Sequence, residues 1–423
     1  MHRFEYRKNE FYCEDTPVSK IAEAVGTPFY LYSIGTFLDH FLKLKEAFKS
    51  ADPLICFSMK ANSNLTVLKA LVEKGSGLDI VSGGELFRAK KVGVDPRKIV
   101  FASVGKTQTE IEEAIRSGIL MFNVETDQEL DVINRAAQKL KTRQRVALRL
   151  NPDVAPDTHH YITTGTKENK FGLDRDTAHR LFMDSYRYPF LRFAGVHIHI
   201  GSQITDSKPF VKAVRKALEF VDEVRSAANP VEYLNIGGGL GIIYSKEKPQ
   251  TAKEFAGAVL PLFKGRRLGR GLKIILEPGR FISGNSGILV TRVIYKKKSA
   301  AKSFLIVDAG MNDLIRPSLY DAYHEIIPVT RTDGRGAETV DVVGPVCESG
   351  DFLAKNRKIP AAEVGELLAV MSSGAYGFVM SSNYNSRPRV PEVVVKGSRF
   401  FVARRRETHA DLVRNERIVR EVV

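Results

Sequence analysis

Between residues 55 and 277 the chain repeats one pattern: a short apolar run, a turn, then a segment whose apolar residues recur at helical spacing. The apolar runs are Ile55–Met59, Leu78–Val81, Ile99–Ala102, Leu120–Val124, Val146–Leu150, Ala194–Ile200, Tyr233–Ile236 and Lys273–Leu276, eight in all. Between them the spacing predicts helices near Asn64–Lys74, Gly84–Val92, Thr107–Ser117, Thr126–Leu140, Lys208–Ala227 and Thr251–Lys264, several opened by an Asn or Thr able to cap the first turn. Eight alternations over about 220 residues predict an α/β fold of the (β/α)8, TIM-like barrel type, although an open doubly wound sheet can also use eight strands. Polar residues decide between them. Lys60, Asp79, Ser82, Ser103, Asn123, Asn151, His199, Ser202, Gly237 and Glu277 all fall at the C-terminal ends of the runs. In a barrel those ends converge on one mouth, where an active site belongs, whereas in an open sheet they spread along an edge.

After Glu277 the texture changes to Val- and Ile-rich alternating runs: Gly287–Lys296, Ser303–Asp308, Thr339–Gly344, Glu366–Met371, Glu392–Val395 and Arg399–Ala403. These predict a C-terminal β-sandwich or barrel-like domain. The expected division is residues 28–282 for the barrel, with 1–27 and 283–423 forming a mostly β domain, because the ends of an inserted barrel lie close together.

Composition narrows the class. Of 423 residues, 43% are apolar, enough for large cores, and 64 basic against 49 acidic residues give a net charge of +15. That charge is dispersed: Arg404-Arg405-Arg406 is followed by Glu407, and Lys296-Lys297-Lys298 ends a strand-like run and reads as a solvated edge. It fits a solvated surface or anionic metabolites better than a nucleic-acid partner. Three widely spaced cysteines, Cys13, Cys56 and Cys347, argue against a disulfide framework and for a reducing compartment, with the cytoplasm as the expected location. The N-terminus has no apolar signal core, and no stretch reaches the about 20 apolar residues of a membrane span.

Four segments carry candidate chemistry. Lys60 ends the first run, where its amine could be a Schiff-base nucleophile or a lysine that snorkels to solvent. Gly237-Gly238-Gly239-Leu240-Gly241 follows the seventh run, the place where barrels often bind phosphate on backbone N–H groups. Glu277, in Glu277-Pro278-Gly279-Arg280, could be a general base, a metal ligand, the partner of a protonated heterocycle, or a structural ion pair with Arg280. His197 and His199 share one face of a strand, yet no nearby Cys, Asp or Glu set completes a metal site. A flat imidazole stacked on a planar cofactor, with Ser202 donating to a phosphate, suits the glycine loop better. The insertion Asn151–Gly172, with His159, His160 and Lys170, has the look of a lid.

Taken in order, Phe57-Ser58-Met59-Lys60-Ala61-Asn62, His197-Ile198-His199-Ile200-Gly201-Ser202-Gln203, the Gly237–Gly241 loop, Glu277-Pro278-Gly279-Arg280, Arg316-Pro317-Ser318-Leu319-Tyr320, Val346-Cys347-Glu348-Ser349-Gly350-Asp351 and Gly374-Ala375-Tyr376-Gly377 resemble the diaminopimelate decarboxylase family. The resemblance runs from about residue 20 to residue 415. It implies a pyridoxal 5'-phosphate enzyme with an alanine-racemase-like barrel that converts meso-2,6-diaminopimelate to L-lysine and carbon dioxide. Ornithine, arginine or carboxynorspermidine decarboxylation by the same fold is the alternative. It further implies that Lys60 carries the cofactor, that His199 stacks on its ring, and that Glu277 pairs with its nitrogen. Asp79, Ser202, Gly238, Gly239, Gly279, Arg280 and Tyr376 complete the cofactor site. Cys347 would reprotonate the substrate carbon from the partner subunit of a homodimer. Arg280, Arg316, Tyr320, Glu348 and Tyr376 would bind the substrate. The position of Lys60 on the first run sets it across the barrel mouth from Glu277.

Overall fold

The computed structural model describes residues 2–154, 170–226, 229–264 and 272–420. The chain forms two compact units, one of Leu38–Ile243 and Glu247–Ile282, the other of Met1–Phe37, Tyr244–Lys246 and Ser283–Val423.

The first unit is a closed barrel of eight parallel strands in chain order: Leu54–Ser58 (β1), Gly77–Ile80 (β2), Ile99–Phe101 (β3), Met121–Val124 (β4), Gln144–Arg149 (β5), Leu191–His197 (β6), Tyr233–Asn235 (β7) and Lys273–Leu276 (β8). Strand β8 closes the ring on β1, pairing Ile275 with Leu54 and Leu276 with Ile55, so the open-sheet alternative does not apply. This closure also corrects one expectation. Lys60 and Glu277 extend from neighbouring strands, not from opposite sides of the mouth.

Helices alternate with the strands, and their ends follow local chemistry. The Asn64 side chain accepts the N–H groups of Thr66 and Val67 at the start of Leu65–Glu73, and reciprocal Thr–Glu capping boxes open Gln108–Ser117 and Ala252–Val259. In Lys208–Val224, Phe210, Val214, Leu218 and Val221 recur at three- and four-residue spacing and are buried, which turns one face onto the barrel wall.

Inside the ring, Cys56, Val100, Met121, Ala147 and Ile275 pack as one apolar layer. Strand periodicity points the residue two places further along each strand to the same interior. Those residues are Ser58, Ala102, Asn123, Arg149 and Glu277, joined by Asp79, His197 and Asn235 from the remaining strands. The polar site is therefore the next layer above the apolar one.

The second unit is built on a nine-stranded sheet in which Gly287–Lys298 is central, flanked by Ser303–Val307 and Phe29–Ser33. A three-stranded N-terminal sheet, Phe4–Arg7, Glu10–Cys13 and Thr16–Pro17, belongs to the same unit, and Phe4, Phe11, Val18, Ile21, Phe29, Leu31, Ile288, Val290, Val393 and Val395 share its core. The division expected at residue 28 falls instead after Phe37. Phe29–Ser33 is buried at every position and needs ladder partners on both edges, which it finds in Gly287–Val290 and Glu392–Val395. Lys296, Lys297 and Lys298 are exposed and pair on one side with Leu305, Phe304 and Ser303, with no strand opposite among the described residues, which agrees with a solvated edge.

Candidate active site

In the barrel unit, Lys60 stands on the short turn Met59–Ala61 that follows β1, and its Nζ donates to Asp79 Oδ2 at 3.0 Å. The Ser58 hydroxyl donates to the same oxygen. Burial pushes the Asp79 carboxyl up, against the pull of the Lys60 charge. Nearby Glu85 accepts the Val81 N–H at 2.7 Å, and burial raises its pKa to about 7.

Glu277, just past β8, is 5% exposed. Its Oε1 accepts from the side-chain amides of Asn123 (2.9 Å) and Asn235 (2.6 Å), and its Oε2 lies 3.2 Å from His197 Nε2. Burial alone would raise this carboxyl. The charge and hydrogen bond of His197, with the Lys60 charge and the Asn235 amide, reverse that and hold it well below the usual carboxylate range. Its partners are these three groups and not Arg280, which leaves the structural ion pair between Glu277 and Arg280 unformed. Arg280 donates instead from Nε and Nη2 to Ser202 Oγ, both at 3.2 Å.

His199 is partly exposed, and its Nδ1 accepts the Gly238 N–H at 3.3 Å. Burial first, then the charges of Arg149 and Lys60, lower its pKa well below the ordinary histidine value and keep the ring neutral. The glycines beside it are required by contact: a Cβ on Gly238 would lie 2.1 Å from the Glu277 carbonyl oxygen, and one on Gly239, at φ +104°, 2.4 Å from that of Gly201. Gly279 lets the end of β8 lie against β1, since its Cβ would come within 3.1 Å of Ser58 Cβ.

The remaining expected residues lie in the second unit. Arg316 opens the helix Arg316–Tyr320, is buried, and has its guanidinium 5.8 Å from the Tyr320 ring centre and 5.3 Å from that of Tyr244. Cys347 and Glu348 are exposed; the Cys347 N–H donates to Asn385 Oδ1 at 2.8 Å, and the Tyr384 hydroxyl to Glu348 Oε2 at 3.4 Å. Tyr376 is partly exposed and held at φ +55°, a strained conformation for a non-glycine residue. His159 and His160, with the rest of residues 155–169 of the expected lid, lie outside the described residues.

The sequence places Asn123 at the mouth without a task and gives His197 no role beyond the strand face it shares with His199; it does not single out Asn235, Glu85 or the buried Arg149–Glu125 pair (2.7 Å). Counting two residues on from the apolar interior positions Met121 and Ala147 would have found Asn123 and Arg149.

The donor set fits pyridoxal phosphate. An amine can carry its aldehyde, a flat neutral imidazole can face its ring, an ionised carboxylate can meet its nitrogen, and Arg280 and Ser202 sit beside a glycine loop suited to an anion. Asp79 Oδ1, Asn123 Oδ1 and His197 Nδ1 are buried with no hydrogen-bond partner among the described residues, as expected around a site that receives a polar group. Among the same residues, no group of three or more His, Cys, Asp or Glu could hold a metal ion, and no helix is long and apolar enough to cross a membrane.

Fold and site together define a barrel enzyme of the pyridoxal-dependent class. Residues 34–284 match the family model described as the pyridoxal-binding domain of pyridoxal-dependent decarboxylases. Diaminopimelate decarboxylase of Aquifex aeolicus is 48% identical over 97% of this chain and 96% of its own length, and that of Vibrio cholerae 44% identical over all of both. Among solved structures, the Helicobacter pylori diaminopimelate decarboxylase complexed with L-lysine superposes with a TM-score of 0.90 at 42% identity, covering 94% of this chain and 98% of that one. The M. jannaschii enzyme in complex with L-lysine gives 0.93 at 37% identity over 99% of each chain. The chain belongs to the diaminopimelate decarboxylase family.

Proposed function

We infer that this chain decarboxylates meso-2,6-diaminopimelate to L-lysine and carbon dioxide with pyridoxal 5'-phosphate, the last step of lysine biosynthesis. When bound, the cofactor supplies an electron sink for the pair left behind by the departing α-carboxylate. Lys60 provides the amine that carries it, with Asp79 holding that amine in place. Glu277 would keep a proton on the ring nitrogen, and the neutral imidazole of His199 would support the ring. The Ser202 hydroxyl, the Gly238 and Gly239 N–H groups, the backbone at Gly279, Arg280 and the Tyr376 hydroxyl bind the phosphate.

Cys347 returns a proton to the α-carbon. Its exposure suits a residue that serves the site of a second copy, so two chains share their active sites as a homodimer. Arg280, Arg316, Tyr320 and Tyr376 hold the far end of the substrate, where planar guanidinium forks suit a carboxylate, while Glu348 takes the distal ammonium. Three cysteines free of disulfides suit a reducing cytoplasm.

Glu277 is the observation that carries the reaction type. A buried carboxylate held ionised favours loss of carbon dioxide over racemisation, which usually works with a less acidic partner at the ring nitrogen. The test is to incubate the cofactor-loaded protein with meso-diaminopimelate and measure carbon dioxide and L-lysine. A comparable kcat/KM on ornithine, or a mirror-image amino acid without carbon dioxide, overturns the reading.

A further inference from the structure

We propose that Asp351 is a positioning residue that sets the spacing between the loop bearing Cys347 and Glu348 and the helix bearing Arg316 and Tyr320. The inference rests on the roles given above to those four residues and adds the group that holds them in register.

Asp351 is 5% exposed. Its Oδ1 accepts the Met311 N–H and its Oδ2 the Val346 N–H, each at 2.6 Å. Met311 belongs to the turn in which the Gly310 carbonyl accepts the N–H groups of Asp313 (2.9 Å) and Leu314 (3.1 Å), and that turn leads into Arg316–Tyr320. Val346 immediately precedes Cys347. One carboxylate thus bolts together the starts of both segments.

The surroundings are shaped for this contact. A Cβ on Gly344 would lie 2.5 Å from Gly310 Cα, 2.6 Å from Asp351 Oδ2 and 2.7 Å from the Ala309 carbonyl oxygen, so its lack of a side chain lets the two backbone segments and the carboxylate meet. The Asp351 N–H donates to the Glu348 carbonyl at 3.0 Å, and the Ser318 hydroxyl donates to the Gly350 carbonyl, a second tie between the same two segments. Both carboxylate oxygens are engaged by backbone, so Asp351 acts through its neighbours and not on a ligand. An amide cannot replace it: asparagine has one acceptor oxygen, and its NH2 would face a backbone N–H.

The test compares full-length, cofactor-loaded wild type with Asp351→Asn and Asp351→Ser. Readouts are kcat and KM for meso-diaminopimelate, the rate of Cys347 alkylation by N-ethylmaleimide, the cofactor absorbance and Tm. Cys13 and Cys56 are buried, so the label reports on Cys347. Misplacing reacting groups by about an ångström costs on the order of 100-fold in rate, so kcat should fall about 10- to 100-fold. KM should rise and the alkylation rate should change by about threefold or more, since thiol reactivity follows local environment. Cofactor absorbance should stay unchanged. Asp351→Ser, which brings no NH2 to oppose the backbone N–H groups and adds no volume, should move kcat, KM and alkylation the same way, and it decides alone if Asp351→Asn does not fold. Variants that load cofactor and keep wild-type kcat/KM and alkylation overturn the proposal. A wild type inactive on meso-diaminopimelate refutes the proposed function instead, and the alkylation comparison then still reports whether Asp351 places Cys347.

Discussion

Replacing Glu277 by glutamine preserves its volume and removes its charge. The glutamine oxygen can still accept from Asn123 and Asn235, which now meet Glu277 Oε1 at 2.9 and 2.6 Å. Its NH2 must then face His197 Nε2, at the position where the carboxylate oxygen now lies 3.2 Å away. His197 is forced to present a lone pair there and to carry its proton on Nδ1, an atom with no hydrogen-bond partner among the described residues. Leaving a buried donor unmatched costs about 1–3 kcal/mol, so Tm should fall by a few degrees and the protein should still fold. The effect on rate should be larger. Removing one preorganised electrostatic group from a buried site costs on the order of 10²–10³ in kcat, about 2.7–4 kcal/mol.

Because Glu277 is assigned to the cofactor nitrogen and not to the substrate, KM should change little. Steady-state kinetics on meso-diaminopimelate check this, with the cofactor absorbance followed against pH as a readout independent of turnover. The Glu277 pKa is depressed in the folded state, so its contribution to stability is present above the ordinary value of about 4.3 and lost as pH falls through the depressed value. The stability gap between wild type and Glu277→Gln should therefore be widest near neutral pH and narrow in acid. A variant whose kcat stays within about threefold of wild type would show that the charge does not act in the transition state.

Cys347→Ala should retain cofactor and borohydride-fixable lysine but lose about 10²–10⁴ in turnover, the range of a general acid; near-normal kcat refutes the proton-donor role. Arg316→Met removes a charge-assisted contact of about 1.5–3 kcal/mol, so kcat/KM for meso-diaminopimelate should fall roughly 10- to 100-fold, and an unchanged value removes Arg316 from the substrate site. The depressed pKa of His199 means that its neutral form is favoured in the folded state. Its contribution to stability is present above about 6.5 and lost as pH falls, so wild type should lose stability relative to His199→Gln in denaturant titrations from about pH 7 to 5. Parallel curves for the two proteins refute that account.

Periodicity made the barrel legible because each strand is a short, continuous apolar run, and helix caps such as Asn64, Thr107 and Thr251 mark where the intervening segments begin. The second unit was less so. Phe352–Pro360 escaped notice because its outward positions carry Lys355, Asn356 and Lys358, which breaks the apolar alternation. Phe29–Ser33 looked like a lead-in to the barrel because only long-range pairing with Gly287–Val290 and Glu392–Val395 makes it a sheet strand. In the site, residue types with evident chemistry stood out: Lys60, Glu277 and the glycine loop. Asn123 and Asn235 did not, because an amide on a strand has no distinctive pattern until register shows what it faces.

Closure of the ring is what turns a linear order into chemistry. Glu277 and Asp79 come from β8 and β2, the strands on either side of the β1 that carries Lys60, and each carboxylate raises the other's cost of ionisation by like charge. Two buried carboxylates this close are tolerable only if each has its own partners. Asp79 has the Lys60 amine and the Ser58 hydroxyl, whereas Glu277 has two amides and His197, so their environments differ in kind. Asp79 is matched to a cation that belongs to the chain. Glu277 is kept ionised by the charge and hydrogen bond of His197, then by the Lys60 charge and the Asn235 amide, so a carboxylate already ionised stands ready to hold a proton on the cofactor's ring nitrogen.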